Sequence, residues 1–347
     1  MSNPKIIAVV GATGAQGGGL VRAIRNDPSR SFVARALTRN PASEAARALG
    51  VETVQADLDD PESLRRAFDG AHGVFGVTAY WEHHSPEREL AQAHAMAAAA
   101  AAAGVKHFVW STLEDTRQRL PVGSGRMPVL MGQYNVPHMD AKGQADEVFI
   151  ASGVPTTALR TSFFWENLIH FGMAPRRGAD GKLVFSLPMG MKKLPGIAAA
   201  DIGQCALGVF QHGRDYIGKT VGIAGQHLTG NEMADVLSRA LGEPVRYEAV
   251  PFEVYRGLGF PGAEDLGNMF QFKHDFNADF CEARSVEHSR RLHAGVLTFE
   301  QWVGRNRGGV ADGVSPSALV YFSYPLGQVR SRTSLVQTNF RTGSEGS

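Results

Sequence analysis

Three glycines near the N-terminus have the spacing of a loop that binds the diphosphate of a dinucleotide. The loop directly follows an apolar run and precedes an amphipathic helical pattern, which is the context that such a motif requires. In this context Gly11 allows a tight turn, Gly14 lets a diphosphate approach the backbone, and Gly17 lets the helix pack closely on the sheet. Free N–H groups at the helix N-terminus would then bind the anion. The predicted phosphate loop consists of Gly11, Ala12, Thr13, Gly14, Ala15, Gln16 and Gly17.

A basic residue at the end of the second predicted strand indicates which nicotinamide dinucleotide is bound. An NAD site usually has an Asp or Glu there, which accepts hydrogen bonds from the ribose hydroxyls. Here Arg39 and Asn40 occupy the place, and no acidic residue occurs in residues 32–40. A guanidinium can bind a 2′-phosphate through two parallel charge-assisted hydrogen bonds, whereas a carboxylate would repel it. We therefore predict NADP(H) as the cofactor.

Two residues after the third predicted strand are placed to contact the adenine. Asp57 could accept a hydrogen bond from the adenine amino group, and Leu58 could cover the ring. The residues leave a second interpretation open, in which Asp57 only caps a helix.

The first 160 residues alternate between strand and helix patterns, and this alternation must position the loop and Arg39. Apolar runs predict six strands, at Ile6–Val10, Phe32–Thr38, Val51–Ala56, Gly73–Thr78, His107–Ser111 and Thr156–Leu159. Segments between them predict helices, at Leu20–Arg25, Pro41–Leu49, from Asp60 onward, Glu87–Ala103 and Lys142–Ser152. This order implies a parallel sheet with right-handed crossovers. We predict a Rossmann-type, doubly wound α/β domain over residues 1–160.

Beyond residue 160 the alternation stops, and the pattern predicts a second, smaller unit. Gly/Pro-rich stretches separate two predicted helices, Asp201–Phe210 and Asn231–Leu241, from one more strand, Glu243–Val250. We predict that residues 161–306 form a smaller α+β lobe at the carboxyl edge of the sheet. Residues 307–347 contain no lysine, many Ser, Thr and Gly and no helical period. We predict that they form a mostly disordered tail, or at best one short strand around Leu319–Tyr324.

Composition and charge exclude several functional classes. In 347 residues, 35 Lys and Arg are balanced by 34 Asp and Glu, so no excess of positive charge favours nucleic-acid binding. Cys205 and Cys281 cannot form a disulfide framework and indicate free thiols in a reducing compartment. The apolar run Ala95–Ala103 is too short for a membrane span, and the adjacent His83 and His84 lack further metal ligands at a suitable spacing. These features predict a cytoplasmic, metal-free protein, and they leave open whether it is a monomer or a homodimer.

Segments spread along the chain carry a resemblance to a known family. They are residues 11–17, Thr38–Pro41, Tyr80–Glu82, His138–Gly143, Trp165–Leu168, Gly259–Ala263 and Thr298–Trp302. With these segments the chain resembles the NmrA-like family of atypical short-chain dehydrogenase/reductases, and within it the HSCARG-type NADPH-sensor branch. The resemblance covers about residues 5–306. It implies an NADP(H)-binding protein whose further partner is either a regulatory protein or a small-molecule acceptor.

The resemblance also implies where the dinucleotide would contact this chain. The phosphates would lie on residues 11–16, the 2′-phosphate near residues 39–43, and the adenine at Asp57 and Leu58. The nicotinamide side would be bound by Thr78, Ala79, Tyr80, Lys142, Phe164, Trp165, Glu166 and Asn167. One position departs from the family, because Ala91 stands where the family can have a lysine.

The catalytic pattern of the superfamily is incomplete in this chain. Its reductases use Tyr-x-x-x-Lys on one helix face, where the lysine lowers the pKa of the tyrosine and the tyrosine donates a proton. Lys142 has His138 four residues before it, and Tyr134 lies beyond Pro137, which would interrupt a connecting helix. Ser111, or the threonine after it, is the counterpart of the serine that usually polarises a carbonyl.

Two functions stay open on the sequence alone. In the first, the proton donor has been lost and the protein is an NADP(H)-binding redox sensor. In the second, it is an NADPH-dependent oxidoreductase, in which His138 or Tyr80 supplies the proton or a quinone takes it from water. The sequence favours the sensor, because hydride transfer to a carbonyl leaves an alkoxide that an acid must neutralise. The candidate catalytic residues are Lys142, His138, Ser111 and Tyr80.

Overall fold

A parallel sheet of seven strands organises the computed structural model, which describes residues 4–313. The strands of the structure are β1 (Lys5–Val9), β2 (Phe32–Thr38), β3 (Glu52–Gln55), β4 (Gly73–Gly76), β5 (His107–Thr112), β6 (Thr156–Arg160), β7 (Phe163–Phe164), β8 (Arg176–Arg177), β9 (Leu183–Leu187), β10 (Leu194–Ile197), β11 (Thr220–Gly222), β12 (Gln226–Leu228) and β13 (Val245–Ala249). The large sheet has the order β11-β6-β5-β4-β1-β2-β3, and each adjacent pair in it is parallel. The chain order reverses between β1 and β4, where open α/β sheets bind their ligands. This arrangement confirms the predicted Rossmann-type fold.

Helices cover both faces of the large sheet. The helices are α1 (Ala15–Asn26), α2 (Glu44–Ala48), α3 (Pro61–Phe68), α4 (Tyr80–His83), α5 (Pro86–Ala102), α6 (Pro137–Ser152), α7 (Asn167–His170), α8 (Ala199–His212), α9 (Gly230–Leu241), α10 (Phe252–Arg256), α11 (Ala263–Asp275), α12 (Asn277–Glu282), α13 (Val286–Leu292), α14 (Phe299–Arg305) and α15 (Arg307–Gly313). Alternation along β1 shows the two layers, since Ile7 and Val9 face the core with α1 and α8, whereas Ala8 faces the core with α3, α5 and α6. Within residues 4–313, no helix is both long and apolar enough to cross a membrane.

Residues beyond 160 complete the large sheet as well as forming the smaller lobe. The edge strand β11 pairs in parallel with β6, with Val221 opposite Leu159. Helix α8 packs on α1 so closely that a Cβ at Gly203 would lie 2.2 Å from the backbone carbonyl carbon of Gly19. The predicted division at residue 160 therefore does not separate the large sheet from the rest of the chain.

The lobe itself contains two three-stranded sheets and the helices that pack on them. The sheets have the orders β12-β10-β7 and β13-β9-β8. Their shared core is rich in aromatic residues, including Phe163, Trp165, Phe185, Phe270 and Trp302, all of them buried. The helix predicted at 231–241 and the last predicted strand are present in this lobe as α9 and β13, whereas the helix predicted at 201–210 is present as α8 and packs on the large sheet.

A short helix occupies the start of the predicted tail. Helix α15 contacts α7, α9 and α14, and its Val310 is fully buried in the core of the lobe. The prediction of disorder is therefore wrong for residues 307–313, because a helix of two turns with one apolar contact leaves no helical period in the sequence. The rest of the predicted tail, with its short strand around residues 319–324, lies outside the described residues.

Candidate functional site

A cleft of about 320 Å³ opens at the carboxyl ends of β1 to β4, where the strand order reverses. Its wall comes from the segments after these four strands, from the start of α5, and from one residue of the lobe. Among the residues that line it are Gly11, Thr13, Gly14, Ala15, Gln16, Gly17, Thr38, Arg39, Asp57, Leu58, Asp59, Thr78, Ala79, Glu82, His83, Arg88, Gln92 and Phe164. The structure thus brings most of the predicted cofactor residues onto one surface.

The glycine loop makes the tight turn from β1 into α1. Gly11 has a φ of +62°, a conformation that residues with a Cβ rarely adopt. A Cβ at Gly17 would lie 2.4 Å from the carbonyl oxygen of Gly11 and 2.7 Å from that of Val10, so a side chain would displace the loop. Gly14 caps α1, and the following residues line the cleft at the positive end of the helix. Ala12 is fully buried and does not reach the cleft.

Arg39 lies at the rim of the cleft and reaches across it to Glu82 of α4. Two contacts join the side chains, Nη1 to Oε2 at 2.8 Å and Nη2 to Oε1 at 3.1 Å. A second cavity beside β3 is lined by Arg39 and also by Arg66. Asn40 lines neither cavity, and its Oδ1 accepts a hydrogen bond from the N–H of Ala42 at 3.1 Å.

Asp57 and Leu58 lie in the cleft next to Arg39, at the end of β3. Asp57 Oδ1 accepts a hydrogen bond from the backbone N–H of Asp59 at 3.0 Å, which closes a local turn. The N-cap of α3 is Asp60, whose carboxylate accepts from the first turn of that helix. The structure therefore assigns helix capping to Asp60 and leaves Asp57 at the cleft wall.

The start of α5 is tied to the end of β3 by Asp59. The carboxylate of Asp59 pairs with Arg88 and accepts a hydrogen bond from Gln92 Nε2 at 2.9 Å. The hydrogen bond from Arg88 lowers the pKa of Asp59. Ala91, the position that departs from the family pattern, is exposed on the same helix. Arg88 and Gln92 thus supply the polar contacts of α5 along the cleft.

Lys142 projects from α6 to the end of β4, where a buried carboxylate binds it. Its Nζ lies 3.0 Å from Glu89 Oε1 and donates a hydrogen bond to Thr78 Oγ1. The hydroxyl of Thr78 donates to the same Glu89 oxygen at 2.9 Å. Because Glu89 is 1% exposed, the ammonium of Lys142 is the charge that compensates it. Thr78 lines the cleft, so this cluster lies directly behind the cleft wall.

Three buried polar atoms beside this cluster lack a hydrogen-bond partner within residues 4–313. They are His83 Nε2, Glu89 Oε2 and Gln92 Oε1. His83 Nδ1 accepts from the N–H of Ser85 at 3.1 Å, so in the neutral ring the proton lies on Nε2, 3.6 Å from Glu89 Oε2. Burial lowers the pKa of His83 and favours that neutral form. Since buried polar atoms are normally satisfied, this corner is suited to polar groups of a ligand.

Tyr80 and His138 both bind the buried carboxylate of Asp265 on α11. His138 Nδ1 lies 2.6 Å from Asp265 Oδ1, and the backbone N–H of His138 donates to Oδ2 at 3.2 Å. Burial first, and then the charge and hydrogen bond of Asp265, raise the pKa of Tyr80 far above its ordinary value. Trp81 packs on His138 with ring centroids 4.9 Å apart. Neither Tyr80 nor His138 lines the cleft.

Ser111 supports the phosphate loop instead of facing the cleft. It is buried at the end of β5, and its hydroxyl donates to Gln16 Oε1 at 2.7 Å. The neighbouring Thr112 donates to the backbone carbonyl of Lys142 at 3.0 Å. Both hydroxyls are therefore engaged in holding the elements around the cleft.

Of the four residues predicted at positions 164–167, Phe164 alone lines the cleft. Trp165 is buried in the lobe with its ring 6.1 Å from that of Trp302. Glu166 accepts from Trp302 Nε1 at 3.0 Å and from the first backbone N–H of α8 at 2.9 Å. Asn167 begins α7 and does not reach the cleft. Trp165 and Glu166 thus hold the lobe together.

Comparisons with known proteins place this chain in a family. A model described as the NmrA-like family matches residues 3–303. The chain belongs to the NmrA-like family. Its predicted place in the NADPH-sensor branch stays a prediction.

This NmrA-like protein also resembles individual relatives. It is 32% identical over 263 residues to the NAD(P)H azoreductase of Xenophilus azovorans, which covers 74% of this chain and 82% of the azoreductase. The structure of NmrA, a negative transcriptional regulator, in complex with NADP matches with a TM-score of 0.70 at 22% identity over 90% of this chain and 99% of NmrA. The triphenylmethane reductase of a Citrobacter species, complexed with NADP(H), matches with a TM-score of 0.66 at 20% identity, covering 89% and 100% of the two chains. At these identities the two structural matches establish the fold.

Several residues in and around the cleft of this NmrA-like protein were not predicted as site residues from its sequence. Among them are Arg88, Glu89, Gln92 and Asp265, and also Asp59 and Glu82. On α5, Gln92 lies four positions after Arg88 and three after Glu89, so it is a neighbour of both on the helix surface. Polar residues at this spacing, at the start of an alanine-rich helix, are a signal that the sequence offers. Asp265 gives no such signal, since only the fold brings it to His138.

Proposed function

We propose that this NmrA-like protein binds NADP(H) along the cleft and delivers hydride to an acceptor, such as a quinone, that needs no proton from a protein side chain. The observation that carries the proposal is the position of the four candidate catalytic residues, Lys142, His138, Ser111 and Tyr80. Each of them is bound to another protein group, and none of them lines the cleft within residues 4–313.

The residues of the cleft fit NADP(H). The glycine loop leaves room for phosphates where a Cβ at Gly17 would displace the backbone. The guanidinium of Arg39 is 64% exposed and would hold the 2′-phosphate, while Leu58 would cover the adenine. At the opposite wall, the unpartnered side-chain oxygen of Gln92, which lines the cleft, would accept a hydrogen bond from a hydroxyl or amide group of the dinucleotide. When bound, the cofactor would supply the hydride.

The candidate catalytic side chains are poorly suited to protonate an alkoxide in the cleft. Lys142 is paired with Glu89, and His138 is buried against Asp265 and does not line the cleft. The raised pKa of Tyr80 makes its hydroxyl a weak acid. Reduction of an aldehyde or ketone would need such a donor, whereas the anion of a hydroquinone is far less basic and can take its proton from water. The geometry therefore supports a quinone over a carbonyl as the acceptor.

The name of one relative supports a reductase, and one structural observation supports a second function, that of a redox sensor. The azoreductase of Xenophilus azovorans is named as an NAD(P)H-dependent enzyme.

The sensor is supported by the ion pairs Arg39–Glu82 and Arg88–Asp59, which join α4 and α5 to the ends of β2 and β3 beside the cleft. A ligand in the cleft would change the surroundings of both pairs, and a partner protein could respond to that change.

Two measurements test the proposal. Calorimetric titration should detect NADPH, with weaker binding of NADH; absence of binding by any pyridine nucleotide would refute the cofactor assignment. NADPH oxidation should be stimulated by quinones and not by aldehydes, and it should survive Tyr80→Phe. Turnover of aldehydes that Tyr80→Phe abolishes would overturn the argument about proton donors. Tight NADPH binding without oxidation by any quinone would leave the sensor as the function.

A further inference from the structure

The ion pair between Arg39 and Glu82 occupies the place where the cofactor is expected to make its most discriminating contact. The two residues are 43 positions apart in the sequence, and they come from the end of β2 and from α4. Both line the cleft, and their side chains are 64% and 54% exposed. The carboxylate of Glu82 thus satisfies the same guanidinium that would bind a 2′-phosphate.

We infer that Glu82 is a specificity-determining residue, which competes with the 2′-phosphate of the dinucleotide for Arg39. The inference rests on the proposed binding of NADP(H). A 2′-phosphate carries more negative charge than a carboxylate and offers three acceptor oxygens, so it can displace Glu82 from the guanidinium. The displacement costs the existing ion pair, and a carboxylate that stays nearby repels the phosphate. NADH has no 2′-phosphate, so its binding involves neither the loss of this ion pair nor the repulsion.

The surroundings of Glu82 allow this exchange without a rearrangement of α4. Its neighbour Tyr80 is buried and bound to Asp265, which holds the helix in place, whereas the side chain of Glu82 is exposed. Arg88 also interacts electrostatically with Glu82, so a displaced carboxylate stays near a positive charge. The exchange therefore needs only a rotation of side chains at the rim of the cleft.

Glu82→Gln tests the inference, with Glu52→Gln as a matched control. Glu52 is also 54% exposed and also pairs with an arginine, Arg35 at 3.1 Å, but it lies at the amino end of β3, away from the cleft. Calorimetric titration of Glu82→Gln should show NADPH affinity raised about two- to fivefold, the factor that corresponds to an exposed ion pair. NADH affinity should be unchanged, and Glu52→Gln should alter neither affinity.

The same substitutions in the Arg39→Ala background show whether Glu82 acts through Arg39. Without the guanidinium there is no competition, and only the repulsion between the carboxylate and the phosphate remains, so Glu82→Gln should then give a smaller gain in NADPH affinity. Three results would overturn the inference. They are an undiminished gain in NADPH affinity in the Arg39→Ala background, an equal change in NADH and NADPH affinity, and an unchanged NADPH affinity in Glu82→Gln alone. Failure of the wild type to bind NADPH at all would instead refute the proposed function, so the two failures are distinguishable.

Discussion

Replacement of Lys142 by methionine tests whether this ammonium is what keeps the carboxylate of Glu89 inside the protein. Glu89 is 1% exposed, and within residues 4–313 its Oε1 is bound by Lys142 and the hydroxyl of Thr78. Removal of one partner from a buried ion pair leaves an uncompensated charge, which costs about 3–5 kcal/mol. The side chain of Lys142 is 13% exposed, so water can reach the site and we expect the lower end, about 3 kcal/mol.

Urea unfolding followed by circular dichroism measures this loss. Lys182→Met is the control, because Lys182 is exposed and makes no ion pair in the described part of the chain; we expect a change of at most about 0.5 kcal/mol. Adding Glu89→Gln to Lys142→Met should recover most of the loss, because the amide is neutral and its oxygen can still accept from Thr78. A Lys142→Met protein within about 1 kcal/mol of the wild type, or a double variant less stable than the single one, would refute the reasoning.

The double variant also makes turnover measurements at Lys142 interpretable. A Lys142 variant alone would lose NADPH oxidation either through the loss of a cofactor contact or through destabilisation by Glu89. If the double variant regains stability but not NADPH binding, Lys142 contacts the cofactor. If binding returns with stability, the role of Lys142 is to neutralise Glu89.

Three other substitutions have directions that follow from the structure. Gly17→Ala places a Cβ against the backbone of Gly11 and should lower NADPH affinity at least tenfold with an unchanged circular dichroism spectrum, whereas Gly304→Ala, which meets no atom within 4 Å, should have no effect. Arg39→Asp should weaken NADPH binding more than NADH binding by calorimetry, because attraction at the 2′-phosphate becomes repulsion; equal losses would contradict the assignment. Burial lowers the pKa of Lys273 to about 7, so between about pH 7 and pH 10.5 the folded chain binds fewer protons than the unfolded chain, and stability should rise with pH across that window. Lys273→Met should therefore raise the melting temperature most below pH 7, and a gain that is independent of pH would argue against the shift.

The parts of the fold that the sequence predicted are those with a strong local signal. Wholly apolar runs such as Ile6–Val10 identify strands that are buried on both faces of a sheet. Strand β11 escaped prediction because three residues carry no periodicity, and only the fold brings it beside β6, with Val221 in the same core as residues of α8. Helix α6 begins at Pro137, five residues before its predicted start, because a proline is favoured in the first turn of a helix.

The candidate site was likewise predictable only where the signal is local in the sequence. The glycine loop and Arg39 are local features next to predicted strands, and both line the cleft. Glu166 was predicted at the nicotinamide side, but both of its oxygens accept hydrogen bonds from groups inside the protein, one of them the indole N–H of Trp302. That contact joins residues 136 positions apart, so no local pattern could have shown it.

Strand β11 also limits where this protein can be divided. A fragment ending at residue 160 would leave the hydrogen-bonding edge of β6 open and the apolar surface of α1 uncovered, and such surfaces promote aggregation. A chimera that joins residues 1–160 of this protein to the second half of a relative would pack β6 and α1 against a strand and a helix from another parent. Residues 199–222 should therefore come from the same parent as residues 1–160 when lobes are recombined.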